Sequence, residues 1–314
     1  MICPLCDKST KIGLTNILRY GEERSVFYCR DCGLGFLENM ESEEMLKQFY
    51  ADEYRKKYKP RLDKETNAED LFECSYRFQE DRLKIISPWL DKGKKLLEIG
   101  CSAGMFLFNV KDKVKEVVGI ELDKKAAAYA EKKCGCKVYT DELIATPLEK
   151  KSFDIICAFQ VIEHVRYPVN YLMKIREYLK DNGVLYIEAP NLNDVLVSIY
   201  DLANHKNFYY HSAHLYYFSK KSLNILFEKA GFEGHLYFMQ DYSVLNHFHW
   251  ILNDMPQSSC MEGLCTPEFP FQNRITDDIK SRMNTLLRRF NEEYKQLLAD
   301  LEITSNISFV GTKK

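Results

Sequence analysis

The sequence predicts an α/β fold built on a doubly wound sheet, with a small four-cysteine module ahead of it. Two observations carry that expectation. From Lys94 onward short β-type runs alternate with helical ones, and the N-terminal end of the chain holds two Cys-x-x-Cys pairs.

A chain of 314 residues can bury a full core, enough for one large α/β domain and a small accessory module. With 46% hydrophobic and 29% charged residues, it has the composition of a globular protein rather than a disordered or fibrous one. The near balance of 44 basic and 46 acidic residues argues against a general phosphate-tracking surface, and so against nucleic acid. No window approaches the roughly 18 to 20 apolar residues that a membrane span needs. Met1-Ile2-Cys3-Pro4 opens no signal peptide, so the sequence reads as cytoplasmic.

Of the 11 cysteines, four have a ready explanation. Cys3-Pro4-Leu5-Cys6 and Cys29-Arg30-Asp31-Cys32 can each aim two thiolates at one ion, and Gly33 supplies the permissive φ such a turn wants. Four thiolates make a closed tetrahedral site, which points to a structural Zn2+ on Cys3, Cys6, Cys29 and Cys32. Thr15 to Tyr20 and Ser25 to Tyr28 read as short strands around Gly21-Glu22-Glu23, the layout of a zinc ribbon. So small a module needs its metal to offset the entropy of ordering the chain.

Next, Glu43 to Lys59 and Glu69 to Leu90 carry Leu46, Phe49, Tyr50 and then Leu71, Phe72, Phe78, Leu83, Ile86 at helical spacing, with Pro60 between them. These helices are expected to cover a ligand cleft, most of their aromatics serving as core. Strands are expected at Lys95 to Ile99, Val117 to Glu121, Lys137 to Tyr139, Phe153 to Ala158 and Val184 to Glu188. In such sheets ligands sit beyond the carboxyl ends of the strands.

The first of these strands runs into Glu98-Ile99-Gly100-Cys101-Ser102-Ala103-Gly104, with the helical run Met105 to Val110 directly after. Gly100 and Gly104 let backbone approach a ligand closely, and the helix start offers free N–H groups. The spacing departs from Gly-x-Gly-x-x-Gly, which disfavours a nicotinamide cofactor. The second strand ends at Glu121, a carboxylate able to accept both hydroxyls of a ribose.

Leu96 to Gly104 resembles the first motif of class I S-adenosylmethionine-dependent methyltransferases, and Gly119-Ile120-Glu121-Leu122-Asp123 their second. Ser152-Phe153-Asp154-Ile155-Ile156, Glu163-His164 and Leu179-Lys180-Asp181-Asn182-Gly183 are further matches, running from about Leu83 to Phe238. The resemblance implies a seven-stranded sheet and cofactor contacts at Glu98, Gly100, Cys101, Ser102, Gly104, Glu121, Leu122, Asp141 and Gln160. Asn306 to Gly311 resembles the last, antiparallel strand of that sheet, which would hairpin with the strand near Leu236 to Gln240. The expected domain map is a zinc ribbon over 1–40, a helical cover over 41–92 and a methyltransferase domain over 93–314 with an insertion at 242–303. Thr276 to Leu301 reads as one long helix with Ile279, Met283, Leu286, Leu287, Phe290, Tyr294 and Leu297 on one face, a core or homodimer contact.

Methyl transfer is an in-line displacement that needs alignment and removal of the acceptor proton, so the search is for a base. Gln160-Val161-Ile162-Glu163-His164 with His214 resembles the metal-binding set of plant small-RNA 2′-O-methyltransferases and ubiquinone-pathway O-methyltransferases, which place an acidic residue where this chain has Gln160. Tyr209 to Ser219 resembles the Tyr-His-Glu-His stretch of sugar C-methyltransferases that share a four-cysteine module, here without the Glu. The run Gln240 to Trp250 resembles a signature of zinc-ribbon methyltransferases of bacterial surface-polysaccharide biosynthesis, and its polar and aromatic residues suit a carbohydrate.

The expected function is therefore O-methylation of a sugar or nucleotide-sugar hydroxyl from S-adenosylmethionine. His214 or His211 is the expected base, and His164, Glu163 and Tyr210 place acceptor or cofactor. The alternatives are a nitrogen-bearing or phosphorylated acceptor, or a zinc-ribbon adaptor that no longer catalyses.

Overall fold

A computed structural model describes residues 1–10, 12–58, 61, 65–271 and 275–314. The N-terminal module is a meander of β1 (Ile12–Ile17), β2 (Glu23–Tyr28) and β3 (Gly35–Leu37). The expected strand from Thr15 to Tyr20 starts earlier and stops at Ile17, because Tyr20 turns into the left-handed region (φ 68°) within a short 3-10 turn. β3 continues the sheet by pairing with a two-residue strand at Tyr216–Tyr217. Leu5, Leu18, Val26 and Phe36 consequently share one buried cluster with Leu97, Ile99 and Ile187 of the main sheet.

Four helices follow: α1 (Glu43–Asp52), α2 (Tyr54–Lys57), α3 (Ala68–Ser75) and α4 (Glu80–Ile86). Ser42 caps α1 by accepting from the Met45 N–H, and Glu43 and Glu44 complement the dipole of its first turn. The single helix expected over 43–59 is broken at Glu53, and Lys59 and Pro60 lie outside the described residues. The helix expected over 69–90 is interrupted too, since Gln79 leaves helical geometry (φ −105°, ψ 5°) and its amide donates to the Ser75 carbonyl. That break re-aims α4 so that Arg82 reaches the main sheet.

The main sheet takes β4 (Lys95–Ile99), α5 (Met105–Val110), β5 (Glu116–Ile120), α6 (Lys124–Cys134), β6 (Lys137–Tyr139), β7 (Phe153–Phe159), α7 (Pro168–Tyr178) and β8 (Leu179–Pro190) in succession. Then come α8 (Val195–Ser198), α9 (Ala203–Tyr209), β9 (Tyr216–Tyr217), α10 (Lys220–Lys229), β10 (Phe232–Met239), α11 (Val244–Asn253), α12 (Cys260–Leu264), α13 (Asp277–Asp300) and β11 (Asn306–Lys313). The strand order is β10-β11-β8-β7-β4-β5-β6, with β11 antiparallel to both neighbours and the remaining pairs parallel.

Neighbouring residues along a strand serve opposite faces, as a period of two requires. Leu97, Ile156 and Leu185 join the cluster with Leu223 and Phe227, while Leu96, Ile155 and Tyr186 join the one with Phe106 and Leu107. Both faces are covered, so the strands read as continuous apolar runs. The carboxyl ends of β4, β5, β7 and β8 open on one edge, and Asn306 at the start of β11 lies opposite Pro190 on that same edge. Among the described residues, no helix is long and apolar enough to cross a membrane.

Candidate active site

A cavity of about 600 Å³ opens at that edge. Its floor is the loop after β4. Gly100 (φ 73°), Ser102 (φ 50°) and Gly104 (φ 85°) all adopt left-handed geometry, and the N–H groups of Gly100 and Cys101 both donate to the Ile120 carbonyl. A Cβ at Gly100 would meet Val161 Cγ2 at 2.6 Å, so the wall has no room for one. Gly104 stands outside the wall among the described residues and serves packing, because a Cβ there would meet Cys134 Sγ at 2.8 Å and Ala130 Cβ at 3.0 Å.

Glu121 closes the loop from below. One carboxylate oxygen accepts from the Ser102 N–H at 2.8 Å and the other from the Asp123 N–H at 2.9 Å, which pins the carboxylate in the cavity wall. Glu98 also lines the cavity. Its Oε2 is buried with no hydrogen-bond partner, and burial pushes its carboxyl well above the usual range. An orphaned acidic oxygen and a pinned carboxylate beside a glycine loop fit a ligand carrying a ribose and a cationic group.

In the wall, Arg82 pairs with Glu188 through one guanidinium edge, Nε donating to Oε2 at 3.0 Å and Nη2 to Oε1, and sits over the Phe159 ring. Gln160 holds a left-handed backbone (φ 56°), and its amide donates to Glu188 Oε1 at 3.1 Å and Asn306 Oδ1 at 3.0 Å. Strain of this kind persists only where the surroundings over-determine it. The Gln160 amide is thereby turned toward Glu188.

At the other end, α1 and α2 contribute Tyr50, Tyr54 and Arg55, and Arg55 Nη2 donates to Ser102 Oγ at 2.8 Å. The Tyr50 hydroxyl donates to the Ala213 carbonyl at 2.8 Å, and His164 Nδ1 lies 2.7 Å from both of those oxygens. A carbonyl only accepts, so Nδ1 carries the proton and Nε2 keeps the lone pair. That Nε2 is 3.8 Å from Glu163 Oε1, and His214 Nε2 is 3.9 Å from the same oxygen. Burial lowers His164 to about 4 and raises Glu163 to about 8, so the cluster is uncharged near neutrality. One ligand atom from each of Glu163, His164 and His214 lies within 4.8 Å of the others, close enough to hold a metal ion.

The wall therefore includes Glu98, Gly100, Cys101, Ser102, Glu121, Leu122, Gln160 and His164. Among the described residues it does not include Glu163, Tyr210, His211 or His214, which the sequence offers as catalytic groups. Glu163 is fully buried behind His164, Tyr210 belongs to the core, and the rings of His211 and His214 pack against each other at 3.8 Å. Asp141 is exposed, and its neighbours Glu142, Leu143 and Ile144 reach the cavity instead. Tyr54, Arg55, Arg82 and Phe159 are wall residues that sequence reasoning missed, while Tyr242, also in the wall, belongs to the Gln240 to Trp250 run it singled out. Arg82 and Glu188 lie 106 positions apart, so no local pattern could have flagged the pair.

In the N-terminal module the four sulfurs converge. Cys3 Sγ is 3.5 Å from Cys32 Sγ, Cys6 Sγ is 3.5 Å from Cys29 Sγ, and all four lie within 4.8 Å of one another as free thiols. A tetrahedron with metal–sulfur bonds near 2.3 Å has edges of about 3.8 Å, which these separations bracket.

Residues 69–236 match a family model described as a methyltransferase domain. The chain is 33% identical over 106 residues to a ubiquinone biosynthesis O-methyltransferase of Pelagibacter ubique, covering 32% of this chain and 43% of that protein. It is 27% identical over 169 residues to the (S)-coclaurine N-methyltransferase of Papaver somniferum, covering 51% and 45%. The match thus spans less than half the length of either relative. Among solved structures, an S-adenosylmethionine-dependent methyltransferase from Archaeoglobus fulgidus superposes with a TM-score of 0.51 at 20% identity, over 78% of this chain and 97% of that one, a likeness of fold.

Proposed function

Since this chain belongs to the methyltransferase domain family, we propose that it uses S-adenosylmethionine to methylate a hydroxyl of a sugar or nucleotide sugar serving polysaccharide biosynthesis. The observation that carries this reading is the position of His164, which lines the same cavity as the glycine loop and Glu121. S-adenosylmethionine, when bound, supplies an electrophilic methyl group on a sulfonium.

The chain's residues do the rest. Glu121 accepts the ribose hydroxyls, Gly100 lets the backbone close on the nucleoside, and Glu98 offers its unpaired oxygen to the cationic end. His164 Nε2 takes the acceptor proton, and a base of low pKa acts on a hydroxyl only if alignment supplies most of the advantage. Tyr50 fixes the ring that does so. Tyr54, Tyr171 and Tyr242 offer faces to a sugar, and Lys47, Arg55 and Arg166 offer charge to a phosphate. The four cysteines hold a structural zinc in a ribbon over 1–40, residues 41–92 cover the cleft, and 242–303 is an insertion in the methyltransferase domain. Thiols kept reduced for zinc suit the cytoplasm.

A second reading has one observation in its favour, the convergence of Glu163, His164 and His214. A divalent cation held there would lower the pKa of the acceptor hydroxyl. The test is transfer of labelled methyl to a panel of nucleotide sugars, polysaccharide precursors, quinone-type phenols, amines and RNA, with and without added divalent cations. Methylation of amines alone, or of RNA alone, would reject the sugar hydroxyl assignment.

A further inference from the structure

The longest helix of the chain presents an apolar face to solvent. α13 is anchored on its inner side by Leu287, Asn291 and Leu298, with Asn291 Oδ1 accepting from the Val244 N–H at 2.9 Å. Its outer side carries Ile279, Met283, Leu286, Phe290, Leu297 and Leu301. Leu286 and Leu297 are each 52% exposed and Phe290 is 44% exposed. These positions recur at spacings of three, four and seven, the narrow stripe of a helix–helix seam. The patch runs onto α11, where the exposed Phe248 ring stacks on Phe290 at 6.4 Å and Leu252, one turn on, is 80% exposed. Contiguous apolar surface of this kind marks an interaction site.

The charges beside the stripe say what covers it. On a helical projection the flank directed away from the body carries Arg282 and Arg289 in the N-terminal half and Glu293 and Asp300 in the C-terminal half. Along the helix Arg282 lies 3.9 Å from Asp278 and Arg289 3.6 Å from Glu293, exposed contacts that association can give up at little cost. Arg282 and Asp300 each stand nine positions from Asn291, and Arg289 and Glu293 each stand two positions from it. One two-fold axis through that level therefore satisfies both pairs. We infer that α13 is the interface of a homodimer in which two copies pack antiparallel about Asn291, Arg282 meeting the partner's Asp300 and Arg289 the partner's Glu293.

The same axis places Met283 between the partner's Leu297 and the partner's Leu301, and Phe290 against the partner's Phe290. A two-fold contact must be self-complementary, and an antiparallel seam pairs like flanks. A helix of 24 residues is about 36 Å long, enough to bury an interface of standard size together with α11. Within one chain Arg282 and Asp300 are about 27 Å apart along the helix, so neither can compensate a change in the other.

The experiment is sedimentation velocity of the full chain over a concentration series, for wild type, Leu286→Asp, Arg282→Glu, Asp300→Arg and the double variant Arg282→Glu/Asp300→Arg. The wild type is expected to be a dimer and Leu286→Asp a monomer with an unchanged circular dichroism spectrum. Each charge reversal is expected to weaken dimerisation about tenfold, since two pairs become like-charged at once, and the double variant to restore it. A monomeric wild type, a dimer indifferent to Leu286→Asp, or a double variant no better than the single reversals would each overturn the inference. The charge variants keep the test decisive if Leu286→Asp fails to fold.

Discussion

Replacing Glu121 by Gln changes one atom type and should cripple cofactor binding. The carboxylate accepts from the Ser102 N–H at 2.8 Å through one oxygen and from the Asp123 N–H at 2.9 Å through the other. An amide has a single oxygen. Whichever way it is flipped, one of those N–H groups faces an NH2 and loses its acceptor. The loss of one charge-assisted hydrogen bond, with a donor left unsatisfied and a weaker acceptor for the ribose, amounts to about 2 to 4 kcal/mol. At about 1.4 kcal/mol per decade that weakens affinity about 30- to 700-fold. Calorimetric titration with S-adenosylhomocysteine measures it directly. Binding within threefold of wild type, in a variant with intact circular dichroism, would refute the role given to this carboxylate.

Three further predictions follow from the buried polar groups. Arg82→Met leaves the fully buried Glu188 without its cation and should cost about 3 to 5 kcal/mol in urea unfolding, most of it recovered in Arg82→Met/Glu188→Met; equal stability of the two variants would contradict the pairing. Burial raises Asp194 to about 7 from 3.8, so its contribution is full below about pH 4 and lost as pH rises through 7. Asp194→Asn should accordingly gain stability relative to wild type at pH 8 and little at pH 4, and a gain that does not vary with pH would count against it. Stripping metal with a chelator should melt the N-terminal module, read as lost hydrogen-exchange protection over β1 to β3, while a Cys29→Ser variant behaves alike without chelator; full protection in both would rule out a metal-dependent fold.

The main sheet was legible because its strands are short, apolar and punctuated. β4 and β6 run just as their residue patterns indicate, β5 is shifted by one residue at both ends so that Glu121 lies just past it, and β7 is one residue longer. β8 extends further in both directions, from Leu179 to Pro190, because antiparallel β11 pairs with Ala189 and Pro190 at one end and Phe153 of β7 with Leu179 at the other. β9 escaped notice since two tyrosines form a strand only when β3 is present to pair with them. The glycine loop and Glu121 announced themselves by local spacing. The acceptor end did not. His164 and Tyr50 are brought together across 114 positions, and which histidine faces the cavity depends on how α1 and α2 lie over it. His211 and His214 share a sequence run with tyrosines that turned out to be core, and their rings pack against each other outside the cavity wall, which composition alone does not reveal.

The account rests most heavily on His164 as the group that links bound cofactor to acceptor. Its direct test is the rate of labelled methyl transfer by His164→Ala to the best acceptor of the panel, measured beside S-adenosylmethionine affinity on the same preparation. Transfer should fall at least a hundredfold, the size of a general-base contribution, with affinity changed less than about fivefold. Transfer near the wild-type rate, or affinity lost in step with transfer, would contradict it.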